Sequence, residues 1–183
     1  MRLAGIDYSL TSPCMCLSEG PGFNNARFFY LTSVKKATGS FLNNRIIGVS
    51  HLAYTAEQER YDDIAEFFLQ RIPINPVPKI FIEDYSFGSK WRVFNLAENC
   101  GLLKYKFWDV GYSFSTVPPT VIKKFATGKG NANKEQMYDA FVAETGVDLV
   151  KALFPDRQLG NPITDIVDSY YLSQYGYSLI TVK

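Results

Sequence analysis

The stretch "NPITDIVDSYYLSQYGY" (residues 161–177) has the composition of a buried helix, yet it carries two acidic residues. Asn161 fits an N-cap, and Pro162 fits the first helical position. Asp165 and Asp168 are three positions apart, so both project from one face of the helix. The positions around them are apolar or aromatic: Ile163, Ile166, Val167, Tyr170, Tyr171 and Leu172. The helix therefore places two like charges on an otherwise apolar surface.

Two explanations fit this pair. Acidic residues near a helix N-terminus interact favourably with the macrodipole, which suits Asp165 but suits Asp168 poorly because the effect fades within one turn. Alternatively, the pair binds a divalent cation. Two carboxylates about 5 Å apart repel each other by about 3 kcal/mol at an effective dielectric constant near 20. Mg²⁺ or Mn²⁺ would turn that repulsion into attraction, and both ions prefer oxygen ligands.

The composition indicates one globular domain, residues 1–183. Apolar residues make up 46% of the chain and charged residues 20%, which excludes a disordered protein. No apolar run reaches the roughly 20 residues that span a membrane, and the N-terminus lacks the apolar region of a signal peptide. Cys14, Cys16 and Cys100 cannot all pair, so we expect reduced thiols and a cytoplasmic location. Zinc is disfavoured, because His51 is the single histidine and there is no CxxC pair.

The net charge of +1 gives no global signal for nucleic acid, but the basic residues are unevenly distributed. Between residues 79 and 134 there are four acidic residues and nine basic ones: Lys79, Lys90, Arg92, Lys104, Lys106, Lys123, Lys124, Lys129 and Lys134. A basic half-surface is compatible with phosphate binding. Charge alone does not distinguish it from ordinary solvated lysines.

Hydrophobic periodicity predicts an α/β protein. Strands are expected at 2–7, 14–18, 26–33, 79–84 and 112–119. Helices are expected at 55–72, 89–108, 120–127, 133–146 and 162–176. Thr55 and Gln58 have capping-box spacing, and Gly146 follows a last helical turn. Residues 34–54 are interpreted as an exposed segment that could include a short strand at 45–52. Its two alternative roles are a DNA-contacting hairpin and a plain loop. This order predicts a mixed five-stranded sheet, with an antiparallel entry, parallel strands after it and helices on both faces.

Two of the predicted strands end in an acidic residue. Asp7 follows "LAGI" and Glu83 follows "KIFI". Either residue alone could be an ordinary turn residue. If the two strands are neighbours, however, Asp7 and Glu83 meet at the carboxyl edge of the sheet, where α/β proteins bind ligands. The closing helix could bring Asp165 and Asp168 to the same edge. Four carboxylates together predict a site for a pair of divalent cations, which supports phosphodiester hydrolysis.

The segment "VPPTVIKKFATGKGNANKEQ" (117–136) combines glycines with lysines. Gly128 and Gly130 would let backbone N–H groups approach a phosphate closely. Lys123, Lys124 and Lys134 would supply positive charge for a nucleic-acid backbone. The spacing is not that of a P-loop. A flexible loop with solvated lysines is the alternative.

These motifs, in this order, resemble the RuvC family of Holliday-junction resolvases, within the RNase H-like fold. The matching segments are "GIDYSLTSP", "IFIEDYSF", "VIKKFATGKGNANKEQMYDAF" and "TDIVDSYYLS". The third, with its lysine-bearing G-x-G-x-A-x-K pattern, is the most specific, and the relaxed sequence suggests a diverged, phage-type member. The resemblance implies a metal-dependent endodeoxyribonuclease that acts in DNA recombination and repair, with no nucleotide cofactor and no membrane association.

The resemblance also implies specific roles. Asp7, Glu83, Asp165 and Asp168 would bind two Mg²⁺ or Mn²⁺ ions. Lys134, with Lys123 or Lys124, would contact the scissile region of a four-way DNA junction, and two chains would form a homodimer. Other implied DNA contacts are Lys90, Arg92 and Lys129.

The chain departs from the family pattern at two motifs. Ser169 replaces the family's alanine after the last acidic residue. The family places a phenylalanine wedge just beyond the second acidic residue, but here Ser86 lies at that spacing, between Tyr85 and Phe87. Either aromatic residue could stack on an unpaired base, or both could be core residues.

Two other functions are considered. The first is a non-catalytic DNA-junction binder, against which the four acidic residues argue, because a binder gains nothing from carboxylates near phosphate. The second is an ATPase related to sugar kinases and actin, because "GIDYSLTS" resembles the first phosphate loop of those proteins. Such proteins need two lobes and a second phosphate loop, and 183 residues have room for one lobe.

Overall fold

A computed structural model describes residues 1–84 and 93–181 of the chain. Within these residues the protein has one seven-stranded mixed sheet, in the order β4-β5-β3-β2-β1-β6-β7. The strands are β1 (Leu3–Asp7), β2 (Cys14–Ser18), β3 (Ala26–Thr32), β4 (Gly39–Phe41), β5 (Ile46–Ser50), β6 (Lys79–Glu83) and β7 (Phe114–Val117). The α-helices are α1 (Glu57–Leu69), α2 (Val93–Asp109), α3 (Pro119–Thr127), α4 (Lys134–Thr145), α5 (Leu149–Leu153) and α6 (Ile163–Thr181). None of these helices combines the length and hydropathy needed to cross a bilayer.

The prediction of a mixed α/β sheet with helices on both faces is confirmed. Strands β1, β2 and β3 form an antiparallel meander, and β6 and β7 then join parallel to β1. One core lies between the sheet and α3 to α6, and the other lies between the sheet and α1 and α2. Because successive residues of a strand face opposite sides, Leu3 belongs to the first core and Ala4 to the second.

The expected count of five strands is wrong. Residues 34–54 contribute two more strands, with β5 parallel to β3 and β4 antiparallel to β5 at the edge. The alternation of Ile46, Ile47 and Val49 is too short to decide between strand and loop without the neighbouring β3. Tyr30 helps to hold residues 34–54 against the sheet, because its hydroxyl donates a hydrogen bond to the Ala37 carbonyl (2.5 Å).

The predicted starts of two helices need correction. In α1 the N-cap is Ala56, and the Thr55 hydroxyl and N–H bond to Glu59 rather than pairing with Gln58. In α6 the Gly160 carbonyl accepts the first N–H groups, so Asn161 is not the cap and its side chain is free for other contacts. Gly146, by contrast, ends α4 in the left-handed conformation (φ 70°), as predicted.

Helix α6 lies directly across the middle of the sheet because two glycines leave room for it. A Cβ on Gly5 of β1 would lie 2.6 Å from the Ser173 nitrogen and 2.9 Å from the Leu172 Cβ, and would also collide with the Ser169 carbonyl. A Cβ on Gly176 would lie 2.6 Å from the Phe81 ring. The close approach fixes the depth at which the first turns of α6 meet the end of β1.

Candidate active site

Two adjacent strands bring Asp7 and Glu83 together. Each is the last residue of its strand, and the parallel register pairs Ile6 with Ile82 immediately before them. Neighbouring strands are about 4.8 Å apart. The two carboxylates therefore leave the sheet side by side at its carboxyl edge, as the sequence predicted.

The first turns of α6 bring Asp165 and Asp168 to the same edge. Asp7 and Asp165 are both buried, at 7% and 6% exposure. Each of these two carboxyl groups shifts the pKa of the other, so their side chains lie close together. Gathering buried carboxyl groups at one point is unfavourable unless protons or a cation offset their negative charge.

The pKa values of the four acidic residues are all raised above their usual range. Burial, followed by the charges of Glu83, Asp165 and Asp168, raises the pKa of Asp7 well above its usual range. Burial also raises the pKa of Asp165 to about 6, although its hydrogen bonds with Ser12 and Asp7 oppose the shift. Each group titrates against the others, so all four acidic residues form one electrostatic unit.

Glu83 and Asp168 form the accessible side of this unit. Both retain some solvent-exposed surface, but protein surrounds their carboxylates closely enough that desolvation remains the largest effect. Burial and the charge of Asp168 raise the pKa of Glu83 to about 8, and burial and the charge of Asp165 raise that of Asp168 to about 7. Lys123 lowers both values and Lys134 lowers that of Asp168, so two cationic side chains face the acidic residues.

A pocket of about 200 Å³ opens onto these groups. Glu83 and Asp168 line it together with Lys123 from α3 and Lys134 from α4. Within one pocket, carboxylates suit a divalent cation and ammonium groups suit a phosphate. Among the predicted lysines, Lys123 and Lys134 thus lie at the acidic residues.

The other predicted DNA contacts are not at this pocket. Lys124 and Lys129 are exposed, and neither lines the pocket. Tyr85, Phe87, Lys90 and Arg92 lie outside the described residues.

Ser12 and Asn161 belong to the site, although sequence reasoning did not single out Ser12 and assigned Asn161 a different role. The buried Ser12 hydroxyl donates a hydrogen bond to Asp165 Oδ2 and accepts one from Asn161 Nδ2 (2.8 Å). Asn161 Oδ1 accepts hydrogen bonds from Thr164 Oγ1 (2.8 Å) and from Lys134 Nζ (3.3 Å). A chain of hydrogen bonds therefore connects the lysine to the acidic residues. The hydroxyl residues in "SLTSP" (9–13), one residue beyond the end of β1, were the available signal.

Comparisons with known proteins address the fold. No protein-family model and no curated protein sequence matches the chain. Among solved structures, RuvC of Thermus thermophilus matches 99% of this chain and 97% of its own, with a TM-score of 0.61 and 14% identity. RuvC of T. thermophilus in complex with a Holliday junction substrate matches with a TM-score of 0.64, again at 14% identity, over 99% of this chain and 96% of that one.

The chain has the RuvC fold. The yeast mitochondrial Holliday junction resolvase Ydc2 matches more distantly, with a TM-score of 0.52 and 14% identity over 94% of this chain and 76% of that one. At this identity the likeness concerns the fold alone. The resemblance seen in the sequence motifs and the RuvC fold therefore agree, and both cover nearly the whole chain.

The residues at the carboxyl edge of this RuvC fold suit a hard divalent cation. They provide carboxylate oxygens only, as Mg²⁺ and Mn²⁺ prefer, and the raised pKa values of all four reflect how closely the fold gathers them. Within residues 1–84 and 93–181, no three acidic, cysteine or histidine side chains already stand at the mutual distances of a coordination sphere. Because carboxylate ligands must be deprotonated, ion binding at this edge would release protons from carboxyl groups whose pKa values are raised.

Proposed function

We propose that this protein is a divalent-metal-dependent endonuclease that hydrolyses phosphodiester bonds in branched DNA, including four-way junctions. The observation that carries the proposal is the convergence of Asp7, Glu83, Asp165 and Asp168 at one edge of the sheet, with raised pKa values that a cation would reverse. The RuvC fold supports the substrate class, because a solved protein with this fold is bound to a Holliday junction.

In this proposal the acidic residues hold two Mg²⁺ or Mn²⁺ ions. When bound, such ions stabilise developing charge on phosphate oxygens and ionise a water molecule near neutral pH. The hydrolysis forms one bond between the water oxygen and phosphorus and breaks one ester P–O bond, and the leaving oxygen takes up a proton. Glu83 and Asp168 line the pocket and would lie nearest to the bound phosphate. Asp7 and Asp165 are buried beneath them and would hold the ions from the protein side.

Lys123 and Lys134 would position the scissile phosphate. Both side chains line the pocket together with Glu83 and Asp168, so they can attract a backbone phosphate to the acidic residues. Lys134 is further oriented by its hydrogen bonds to Asn161 and Thr164, which connect it to the network that holds Asp165.

We also propose that the protein acts as a homodimer, so that two sites cut two strands of one junction. The face of α2 supports this, because it exposes large apolar side chains at helical spacing: Phe94 (74%), Tyr105 (58%) and Trp108 (69%). Light scattering after gel filtration should give twice the chain mass of 20.7 kDa, and Trp108→Ser should shift it toward one chain.

Cleavage of a panel of branched and linear DNAs, with and without Mn²⁺, tests the enzymatic proposal. We expect paired nicks in four-way junctions only with the ion, and we expect Asp7→Asn to bind junctions without cutting them. Asp139→Asn, an exposed position on α4, is the matched control and should cut normally. Binding without any cleavage by the unaltered protein would instead indicate a non-catalytic junction binder, and undiminished cleavage by Asp7→Asn would remove Asp7 from the mechanism.

A further inference from the structure

A second groove, of about 650 Å³, lies far from the acidic residues and is rich in arginine. Four arginines line it, together with a single acidic residue, Glu19: Arg2, Arg27, Arg45 and Arg71. We call it the arginine groove. It is the larger of the two charged depressions described here, since the pocket at the acidic residues measures about 200 Å³.

The arginine groove lies at the opposite end of the sheet from the acidic residues. Arg2 directly precedes β1, whereas Asp7 ends it, and Arg27 and Arg45 lie at the starts of β3 and β5. Leu3 and Asp7 are separated by about 13 Å along the strand, at about 3.3 Å per residue. A phosphate held in the groove therefore cannot be the one that meets the acidic residues, and the groove needs a ligand segment of its own.

The groove holds positive charge that the chain does not neutralise. Arg2 pairs with Glu19 at 3.0 Å. Arg45 is fixed by backbone carbonyls instead of a carboxylate, with Nη1 bonded to the carbonyls of Phe23, Asn24 and Ala26 at 2.7–3.0 Å. In the described part of the chain, three of the four guanidinium groups thus lack an acidic partner. This is a strong local concentration of positive charge in a protein whose net charge is only +1.

Arg27 and Arg71 have the geometry of guanidinium groups that can accept an anion. Arg71 lies 3.7 Å from the centre of the Phe67 ring and uses Nη1 for the Phe67 carbonyl (2.7 Å). Arg27 is exposed and lies 5.3 Å from the centre of the Phe29 ring. Stacking on a ring holds the guanidinium plane but leaves N–H groups at its edge for phosphate oxygens.

The remaining lining suits a nucleic-acid backbone. Asn43 and Asn44, in the turn between β4 and β5, also line the groove, and their exposed amides can donate hydrogen bonds to phosphate or sugar oxygens. The half-buried side chains of Leu17 and Pro73 offer apolar surface for sugar or base. Arginine clusters with polar amides are the side chains that bind phosphates along a strand.

We propose that the arginine groove binds the phosphate backbone of a DNA arm that points away from the acidic residues. The inference rests on the proposed function, since it takes branched DNA as the ligand. A branched molecule has arms that diverge from the cut site, so one arm can lie at the acidic edge while another reaches the far end of the sheet. The groove would then contribute to preference for branched over linear DNA.

Binding of labelled four-way junctions, measured by fluorescence anisotropy against salt concentration without divalent ions, tests this inference. The chain carries Asp7→Asn in every sample, so cleavage does not interfere. Two variants are compared on this background, Arg27→Ala and Arg157→Ala. Arg157 is the matched control because it is also exposed and stacks on a phenylalanine (5.6 Å) but lies outside the groove. Thermal melting first establishes that both variants fold.

With four-way junctions whose arms are about 25 base pairs long, we expect Arg27→Ala to weaken binding several-fold and to reduce the log–log salt slope by about one. With a linear duplex of about 50 base pairs, which has no diverging arm, Arg27→Ala should bind like its parent. Arg157→Ala should match the parent throughout. Equal behaviour of the two variants on junctions would overturn the proposal and leave an acidic protein as the groove's partner, and an equal loss on the linear duplex would refute the binding of a diverging arm. If Arg27→Ala weakens junction binding but the unaltered protein cuts no DNA with Mn²⁺, the proposed nuclease activity would be refuted. The proposed binding of DNA by the arginine groove would still stand.

Discussion

Replacing Asp168 with asparagine should stabilise the ion-free protein while abolishing its activity. Asp168 lies in the acidic cluster with its pKa raised to about 7 from the usual 3.8, first by burial and then by the charge of Asp165. An acid with a raised native pKa binds its proton more tightly when folded. The free energy of unfolding therefore falls as pH rises from about 4 to about 7. Above that range the ionised Asp168 carboxylate destabilises the folded protein by the full amount. Asparagine keeps the shape and removes the penalty.

The size of the effect follows from the shift. A rise of about 3 units in the pKa of Asp168 corresponds to about 4 kcal/mol of unfolding free energy, at about 1.4 kcal/mol per unit, and this value is an upper limit. The Asp168 carboxylate is partly accessible, and Lys123 and Lys134 lose a favourable partner on substitution. We therefore expect about half, about 2 kcal/mol at pH 8, or an increase of about 4–8 °C in Tm for a chain of this size. At pH 5 most of the gain should disappear, because the native carboxyl is then protonated.

The assay is thermal unfolding at pH 8 and pH 5, in EDTA and in excess Mg²⁺. The unaltered protein should gain stability from Mg²⁺, since a ligand that binds the native state raises Tm, and Asp168→Asn should gain much less. Asp139→Asn, exposed on α4, should behave like the unaltered protein in all four conditions. If Asp168→Asn were less stable than the unaltered protein at pH 8 in EDTA, the acidic residues would not be a mutually repelling cluster and the reasoning would be refuted.

Three further substitutions probe the surroundings of the cluster. Ser12→Ala removes a buried hydroxyl that bonds on both sides, so it should cost about 1–3 kcal/mol of unfolding free energy and lower the cleavage rate in a junction-cutting assay. Gly5→Ala should push α6 off the sheet and cost about 1–3 kcal/mol by thermal melting, whereas Gly101→Ala, where a Cβ meets nothing within 4 Å, should be neutral or stabilising. Lys134→Ala should lower kcat/KM on four-way junctions about tenfold or more, and Lys124→Ala, outside the pocket, should not; equal effects would remove Lys134 from phosphate binding.

Much of the fold could be predicted because its elements carry strong local signals. The run ending at Asp7 and the run ending at Glu83 are short apolar strands, and the stripe of α1 has clear helical spacing. The strands within residues 34–54 could not be predicted, because β5 depends on its pairing with β3, and β4 on its pairing with β5, rather than on a pattern of their own. Helix starts were also misplaced, since the Gly160 carbonyl competes with the Asn161 side chain for the first N–H groups of α6.

The site was predictable to the extent that it follows from topology. Placing Asp7 and Glu83 at adjacent strand ends required only that β1 and β6 be neighbours, and the periodicity of α6 put Asp165 and Asp168 on one face. The role of Ser12 could not be predicted, because its hydrogen bond to Asp165 spans 153 residues and depends on how close α6 lies to β1. The arginine groove is equally non-local, since its arginines come from four separate segments of the chain.

Anomalous diffraction from crystals of the unaltered protein soaked in Mn²⁺ would show whether the acidic residues bind a divalent cation. We expect anomalous peaks within bonding distance of carboxylate oxygens of Asp7, Glu83 and Asp168, at the carboxyl edge of β1 and β6. Peaks confined to other parts of the surface, or ordered carboxylates that bind no manganese at this edge, would contradict this expectation.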